Sequence, residues 1–99
     1  EEMKIIWSPF SIERLTEIAK YIENDSPKNA NAFIDNIFSE IDRIKSFPDL
    51  GRYVPELENR NIREIIYDSF RIIYRIDDNR IIILTIRHTK QHLWENEEL

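Results

Sequence analysis

The side chains with the most chemistry to offer are arginines. Arg63, Arg71, Arg75 and Arg87 are spaced along one C-terminal stretch that ends in Arg87-His88, with Lys90 just beyond. Arginines repeated along one stretch suit an anionic partner, because the guanidinium fork matches carboxylate and phosphate geometry. Other chemistries find little support. His88 and His92 lie four apart, with Glu95 three further on, and on a continuous helix these would form a metal-binding face. His88 is expected to end a strand, which breaks that geometry, so no metal site is predicted. A single glycine rules out a glycine-rich phosphate loop, and no serine sits in a nucleophile elbow. Trp7 and Trp94 read as packing residues rather than base-stacking platforms. No cofactor is implied.

Charge is distributed unevenly. The net charge of -5 arises at the ends, where Glu1, Glu2, Glu95, Glu97 and Glu98 supply five acids and no base. Residues 60–90 carry seven bases against four acids, whereas residues 3–59 carry an excess of acids. This asymmetry predicts one face for an acidic partner. It falls short of nucleic-acid binding, since a dedicated binder is usually basic overall. The absence of cysteine excludes disulfides and thiol nucleophiles, and a reducing cytoplasm is the simplest setting. No apolar run approaches the roughly 20 residues a membrane helix needs. Met3 reads as the natural start.

The elements that must position these groups are legible. Lys4-Ile5-Ile6-Trp7 predicts a short strand. Ser8-Pro9 supplies an N-cap and a first-turn proline, and Ile12, Leu15, Ile18, Ala19 and Ile22 recur at helical spacing until Asn24-Asp25. Ser26-Pro27 repeats the signal, followed by Ala30, Phe33, Ile34, Ile37, Ile41 and Ile44, with Phe38 widening the stripe. Phe47-Pro48 ends this second helix. The short connection predicts an antiparallel helical hairpin. Gly51 is expected to turn the chain at positive φ, and Arg52 to Asn61 reads as a polar loop.

Three strands follow, Arg63 to Tyr67, Phe70 to Ile76 and Ile81 to His88, joined by Asp68-Ser69 and Asp77-Asp78-Asn79. Thr89 is placed to cap a last helical turn containing Leu93 and Trp94. The prediction is an α+β fold: a strand, a two-helix antiparallel hairpin, then a three-stranded antiparallel meander. One domain spans residues 3–94, with an acidic tail over 95–99. The hairpin covers one sheet face. Arg71, Arg75, Arg87 and Thr85 are expected to leave the other face open and positively charged.

The order and spacing of several short motifs carry a resemblance. They are Trp7-Ser8-Pro9, Tyr21-Ile22, Ser26-Pro27 with Ala30 and Phe33, and Phe47-Pro48-Asp49-Leu50-Gly51-Arg52. Val54-Pro55-Glu56, Ile62-Arg63-Glu64, Phe70-Arg71-Ile72-Ile73-Tyr74 and Ile86-Arg87-His88 complete the set. From Lys4 to about Lys90 the chain resembles the RelE/ParE toxin superfamily, and its ParE-like, plasmid-stabilisation branch most closely. The resemblance implies the toxin of a type II toxin–antitoxin system, neutralised by a cognate antitoxin, as a homodimer or a toxin–antitoxin hetero-oligomer. ParE-like members are held to poison DNA gyrase; RelE-like members cut mRNA on the ribosome. A third reading is an inactive member that only binds its antitoxin.

Under the ribonuclease alternative, the resemblance makes Arg71 the phosphate-holding arginine. Arg87 and His88 stand where relatives keep acid or phosphate-binding groups, and Glu56 aligns with a loop carboxylate used as base. RNA cleavage through the 2′-hydroxyl needs such a base, an acid and a cation. The bland alternative pairs Arg71 and Arg87 with carboxylates and leaves His88 as a strand end. Two departures favour the ParE-like branch. The loop from Arg52 to Asn61 has no lysine, and the net charge suits ribosomal RNA poorly. For an antitoxin, Arg63, Arg71, Arg75 and Lys90 are the expected partner-binding cations. A groove beside the helices or an open sheet edge would receive its helix or strand.

Overall fold

The computed structural model describes residues 3–91. Strand β1 (Lys4–Trp7) leads into helices α1 (Pro9–Asp25) and α2 (Pro27–Ser46). A single 3₁₀ turn (Pro48–Leu50) precedes β2 (Arg52–Tyr53), β3 (Ile62–Tyr67), β4 (Phe70–Asp77) and β5 (Arg80–His88). The sheet runs in the order β1-β5-β4-β3-β2. The predicted meander is present, β3 to β4 to β5 antiparallel throughout. β1 joins it in parallel along β5, from Lys4 opposite Arg80 to Trp7 opposite Ile83. The fold is α+β, with two helices against a five-stranded mixed sheet.

Both helices start as their sequences dictate. Ser8 accepts from the Ser11 amide and Ser26 from the Asn29 amide, each followed by proline in the first turn. Helix α2 is the core helix: Ala30, Phe33, Ile37, Ile41 and Ile44 are all buried. All but Ala30 pack on Ile65, Ile72, Tyr74, Ile81, Ile83 and Ile86 of the sheet. Helix α1 lies further out. Only Ser11 and Ala19 are buried along it. Ile12, expected on its apolar stripe, is 51% exposed. The inward line instead begins at Ser11, whose hydroxyl donates to the Ser8 carbonyl. Phe38 is also outward-facing, but its ring meets Trp7 at 5.6 Å between centroids.

Gly51 has φ -74° and needs no left-handed geometry, contrary to expectation. It is required by close approach instead. A β-carbon there would lie 2.5 Å from the Tyr74 hydroxyl and 2.7 Å from the Glu64 carbonyl. Among the described residues the left-handed positions are Asp68 and Asp78, in the two hairpin turns, where short polar side chains tolerate it.

The sheet face away from the helices is not open. Ile72 and Ile73 are neighbours on β4, so they project to opposite faces, yet both are fully buried. Ile73 belongs to a second apolar cluster with Val54, Ile62 and Leu84, flanked by Leu57 and Ile82. The segment read as a polar loop therefore contains β2 and folds Val54 and Leu57 over the sheet. Leu84 is the extra residue of a β-bulge, since Ile73 pairs with Thr85 while Tyr74 pairs with Ile83. Thr85, predicted to be outward-facing, is buried, and its hydroxyl finds no hydrogen-bond partner among the described residues.

Candidate functional site

The covered face determines what happens to Arg71. In β4 it stands between Ile66 of β3 and Arg87 of β5. The segment after β2 crosses above it and delivers Glu56. Nη1 and Nη2 of Arg71 donate to the two Glu56 oxygens at 2.7 and 2.8 Å. Nε donates to Glu64 Oε1 at 2.6 Å, and Nη1 also reaches the Gln91 carbonyl at 3.1 Å. The second Glu64 oxygen accepts from Arg52 Nε at 2.8 Å. Arg52, Glu64, Arg71 and Glu56 thus form a chain in which cation and carboxylate alternate. Arg71 is 5% exposed and Glu64 1%.

This arrangement satisfies the physical requirements of burial. A carboxylate as enclosed as Glu64 is tolerable only when paired and hydrogen-bonded. The Glu56 hydrogen bond raises the Arg71 pKa against the lowering by burial, with Glu64 adding in the same direction. The guanidinium stays charged and shares that charge with two anions. The expected water-facing position of Arg71 is therefore corrected. Its long stem lies under the 54–61 segment and its head is held from both sides.

The other predicted residues separate into different places. Arg87 is half-buried beside Arg71 in the strand register. His88 pairs with Phe70, one position on, and so leaves by the helix-side face. Its ring meets Phe70 edge-on at 6.0 Å, and its Nδ1 accepts from the Lys90 amide at 3.2 Å. His88 also lines a cavity of about 530 Å³ with Arg14, Tyr21, Ile22, Asp68 and Phe70. Arg71, Arg87 and Glu56 are brought together; His88 is not part of their cluster.

Arg63 is turned inward at the opposite sheet edge. Its Nη1 donates to the Gly51 carbonyl at 2.7 Å, and its guanidinium lies 4.4 Å from the Tyr53 ring centroid. Arg75 is half-buried opposite Ile62 and Ile82, and Lys90 is exposed past the end of β5. The four expected partner-binding cations do not form a single patch. Leu93, Trp94, His92, Glu95 and the acidic tail lie outside the described residues. The turn that Thr89 is expected to cap lies outside them as well; the Thr89 amide itself donates to the Ser69 carbonyl at 2.8 Å.

Sequence reasoning missed Glu64 and Arg52 as members of the network. One signal for Glu64 was available: it is the only acid in Ile62–Tyr67, a strand otherwise apolar on alternate positions and set in an arginine-rich stretch.

Known proteins share this architecture. The chain matches the family described as the ParE toxin of the type II toxin–antitoxin system parDE, over residues 5–93. It is 31% identical over 90 residues to Y4kP of Sinorhizobium fredii, covering 89% of this chain and 90% of that protein. It is 31% identical over 80 residues to toxin RelE3 of Caulobacter vibrioides, covering 76% and 82%. Among solved structures, a chain of the chromosomal ParDE system of P. aeruginosa superposes with a TM-score of 0.73 at 20% identity, covering 87% of this chain and 95% of that one. The RelBE2 toxin–antitoxin complex of Mycobacterium tuberculosis gives a TM-score of 0.61 at 18% identity, covering 89% and 99%. These two likenesses concern the fold, whereas the match over residues 5–93 concerns descent: the chain belongs to the ParE toxin family of the RelE/ParE superfamily, the toxins of type II toxin–antitoxin systems.

Proposed function

We propose that this chain arrests growth by binding and poisoning a protein target, with DNA gyrase the first candidate, and that a cognate antitoxin neutralises it in the cytoplasm. One observation carries the choice of a non-nucleolytic mechanism. The arginine best placed to hold a scissile phosphate, Arg71, already gives four hydrogen bonds among the described residues, three of them to Glu56 and Glu64. A phosphate would have to displace a bidentate carboxylate and approach two anions at once. The antitoxin reading draws support from the fold neighbours, which come from ParDE and RelBE systems.

A second reading, ribosome-dependent mRNA cleavage, is favoured by a different observation. Glu56, Arg71 and Arg87 converge, and a base beside two cations is the constellation that such cleavage uses. The two readings part in a paired assay. Purified protein is added to a gyrase supercoiling and cleavage-complex reaction, and to a translation reaction whose message is mapped by primer extension. Trapped gyrase–DNA complexes with intact message support the first reading. Codon-positioned cuts that disappear with Arg71→Ala support the second. No effect in either, with no growth arrest on expression, leaves an antitoxin-binding member without activity.

A further inference from the structure

At the β2 edge of the sheet two arginines share one tyrosine. Arg63 and Arg60 lie 4.4 and 4.6 Å from the centroid of the Tyr53 ring. Their situations differ. Arg63 is spent on the fold: it bonds the Gly51 and Asp49 carbonyls and the Tyr53 hydroxyl, and pairs with the Asp49 carboxylate at 3.5 Å. Arg60 is exposed, and no hydrogen bond or ion pair engages it among the described residues. Its backbone is nonetheless fixed. It sits in a turn closed by the Ile62 amide on the Asn59 carbonyl at 3.2 Å, with the Asn59 side chain accepting from the Asn61 amide at 2.9 Å.

Stacking on the ring orients the Arg60 guanidinium while leaving its in-plane N–H donors available for an anion. Exposed hydrocarbon lies close by in the chain. Tyr53 is 42% exposed, and Leu50 and Phe47, within the turn that Arg63 contacts, are 41% and 68% exposed. Exposed aromatic and arginine side chains on a rigid base have the composition of an interface hot spot.

We infer that the Tyr53–Arg60 stack, with Leu50 and Phe47, is a docking site for an acidic segment of the antitoxin. A carboxylate would meet Arg60 while a neighbouring apolar residue covers Tyr53 and Leu50. A protein segment fits better than nucleic acid. The site offers one uncommitted cation beside exposed hydrocarbon, whereas a phosphate backbone needs several cations in a row. This inference rests on the antitoxin reading above.

The test uses the full chain and the protein encoded by the adjacent reading frame, titrated calorimetrically at low and high salt. Arg60→Glu is expected to weaken binding roughly tenfold or more and to flatten the salt dependence. Arg60→Lys keeps the charge but loses the fork and is expected to fall between. Tyr53→Leu, which retains hydrocarbon and frees Arg60 from the ring, is expected to weaken binding less than Arg60→Glu. Thermal melts of the free Arg60 variants should match the parent, since that side chain is exposed, whereas Tyr53→Leu also removes the ring and hydroxyl that Arg63 contacts and is read against its own melt. Unchanged affinity and salt slope in Arg60→Glu would overturn the inference while leaving the antitoxin reading intact. No binding by the unsubstituted chain would overturn both.

Discussion

Arg71 and Glu56 meet fork to fork, two N–H donors against two oxygens at 2.7 and 2.8 Å, across fifteen residues of chain. This contact fastens the 54–61 segment to the sheet and withdraws the central arginine from solvent. Glu64 holds the same guanidinium from the strand side at 2.6 Å. The network explains why a segment with a polar sequence lies over an apolar face.

Removing Glu64 should be the most damaging change to that network. Glu64→Ala leaves Arg71 enclosed with one partner fewer, and breaking a buried pair costs about 3–5 kcal/mol. Glu56→Ala should cost less, because its carboxylate is nearer solvent, with a side-chain exposure of 14%. Replacing Arg71, Glu56 and Glu64 together by apolar residues of similar volume should cost less than Glu64→Ala alone, since no buried charge is stranded. Urea unfolding of the three proteins measures the order.

Gly51 and Tyr74 should behave as a coupled pair. The Gly51 amide donates to the Tyr74 hydroxyl at 2.9 Å, and that hydroxyl donates to the Pro48 carbonyl at 2.7 Å. Gly51→Ala drives a methyl into this hydroxyl and should destabilise by about 1–3 kcal/mol. In the Tyr74→Phe background the same substitution should cost less, because the 2.5 Å contact is gone. The relief should be partial, as the Glu64 carbonyl at 2.7 Å remains. A double-mutant cycle by thermal or urea unfolding gives the coupling directly.

Burial raises the Tyr74 pKa above its ordinary value of 10.0, outweighing the Gly51 hydrogen bond that lowers it. A raised folded-state pKa means that the folded chain holds its proton more tightly than the unfolded chain. The associated stability is complete below pH 10 and is lost as pH rises from there through the folded-state value. Stability should therefore decline on the alkaline side, and Tyr74→Phe should decline less steeply. Unfolding free energies from neutral pH to above pH 10 check the sign.

The two helices should respond unequally to truncation. Ile37→Ala opens a fully buried position and should cost about 2–5 kcal/mol. Ile12→Ala removes a side chain that is 51% exposed and should cost under about 1 kcal/mol. Equal losses would contradict the inner and outer placement of α2 and α1.

The sequence carried most of the fold because its signals are local. Ser8-Pro9 and Ser26-Pro27 open helices by capping physics, and the β-branched and aromatic content of Ile62–Tyr67 and Phe70–Asp77, with turn residues between them, is a strand signal wherever it occurs. Contacts between distant segments were not legible. Nothing near Val54 or Leu57 states that they will cover Ile73, and without that cover Arg71 and Thr85 read as outward-facing. Period-2 alternation likewise separates His88 from Arg87, but only once Phe70 is known to pack, partly buried, against Phe33, 5.1 Å away, does it place His88 on the helix side. The parallel pairing of β1 with β5 spans most of the chain and has no local signature.

The most direct test of the central claim, that Arg71 serves the fold and not a phosphate, is primer-extension mapping of messages translated in the presence of the purified chain. Intact messages are expected with the unsubstituted protein, together with gyrase–DNA complexes trapped in the parallel gyrase reaction. Codon-positioned cleavage by the unsubstituted protein, abolished by Arg71→Ala in a variant that still folds, would contradict it.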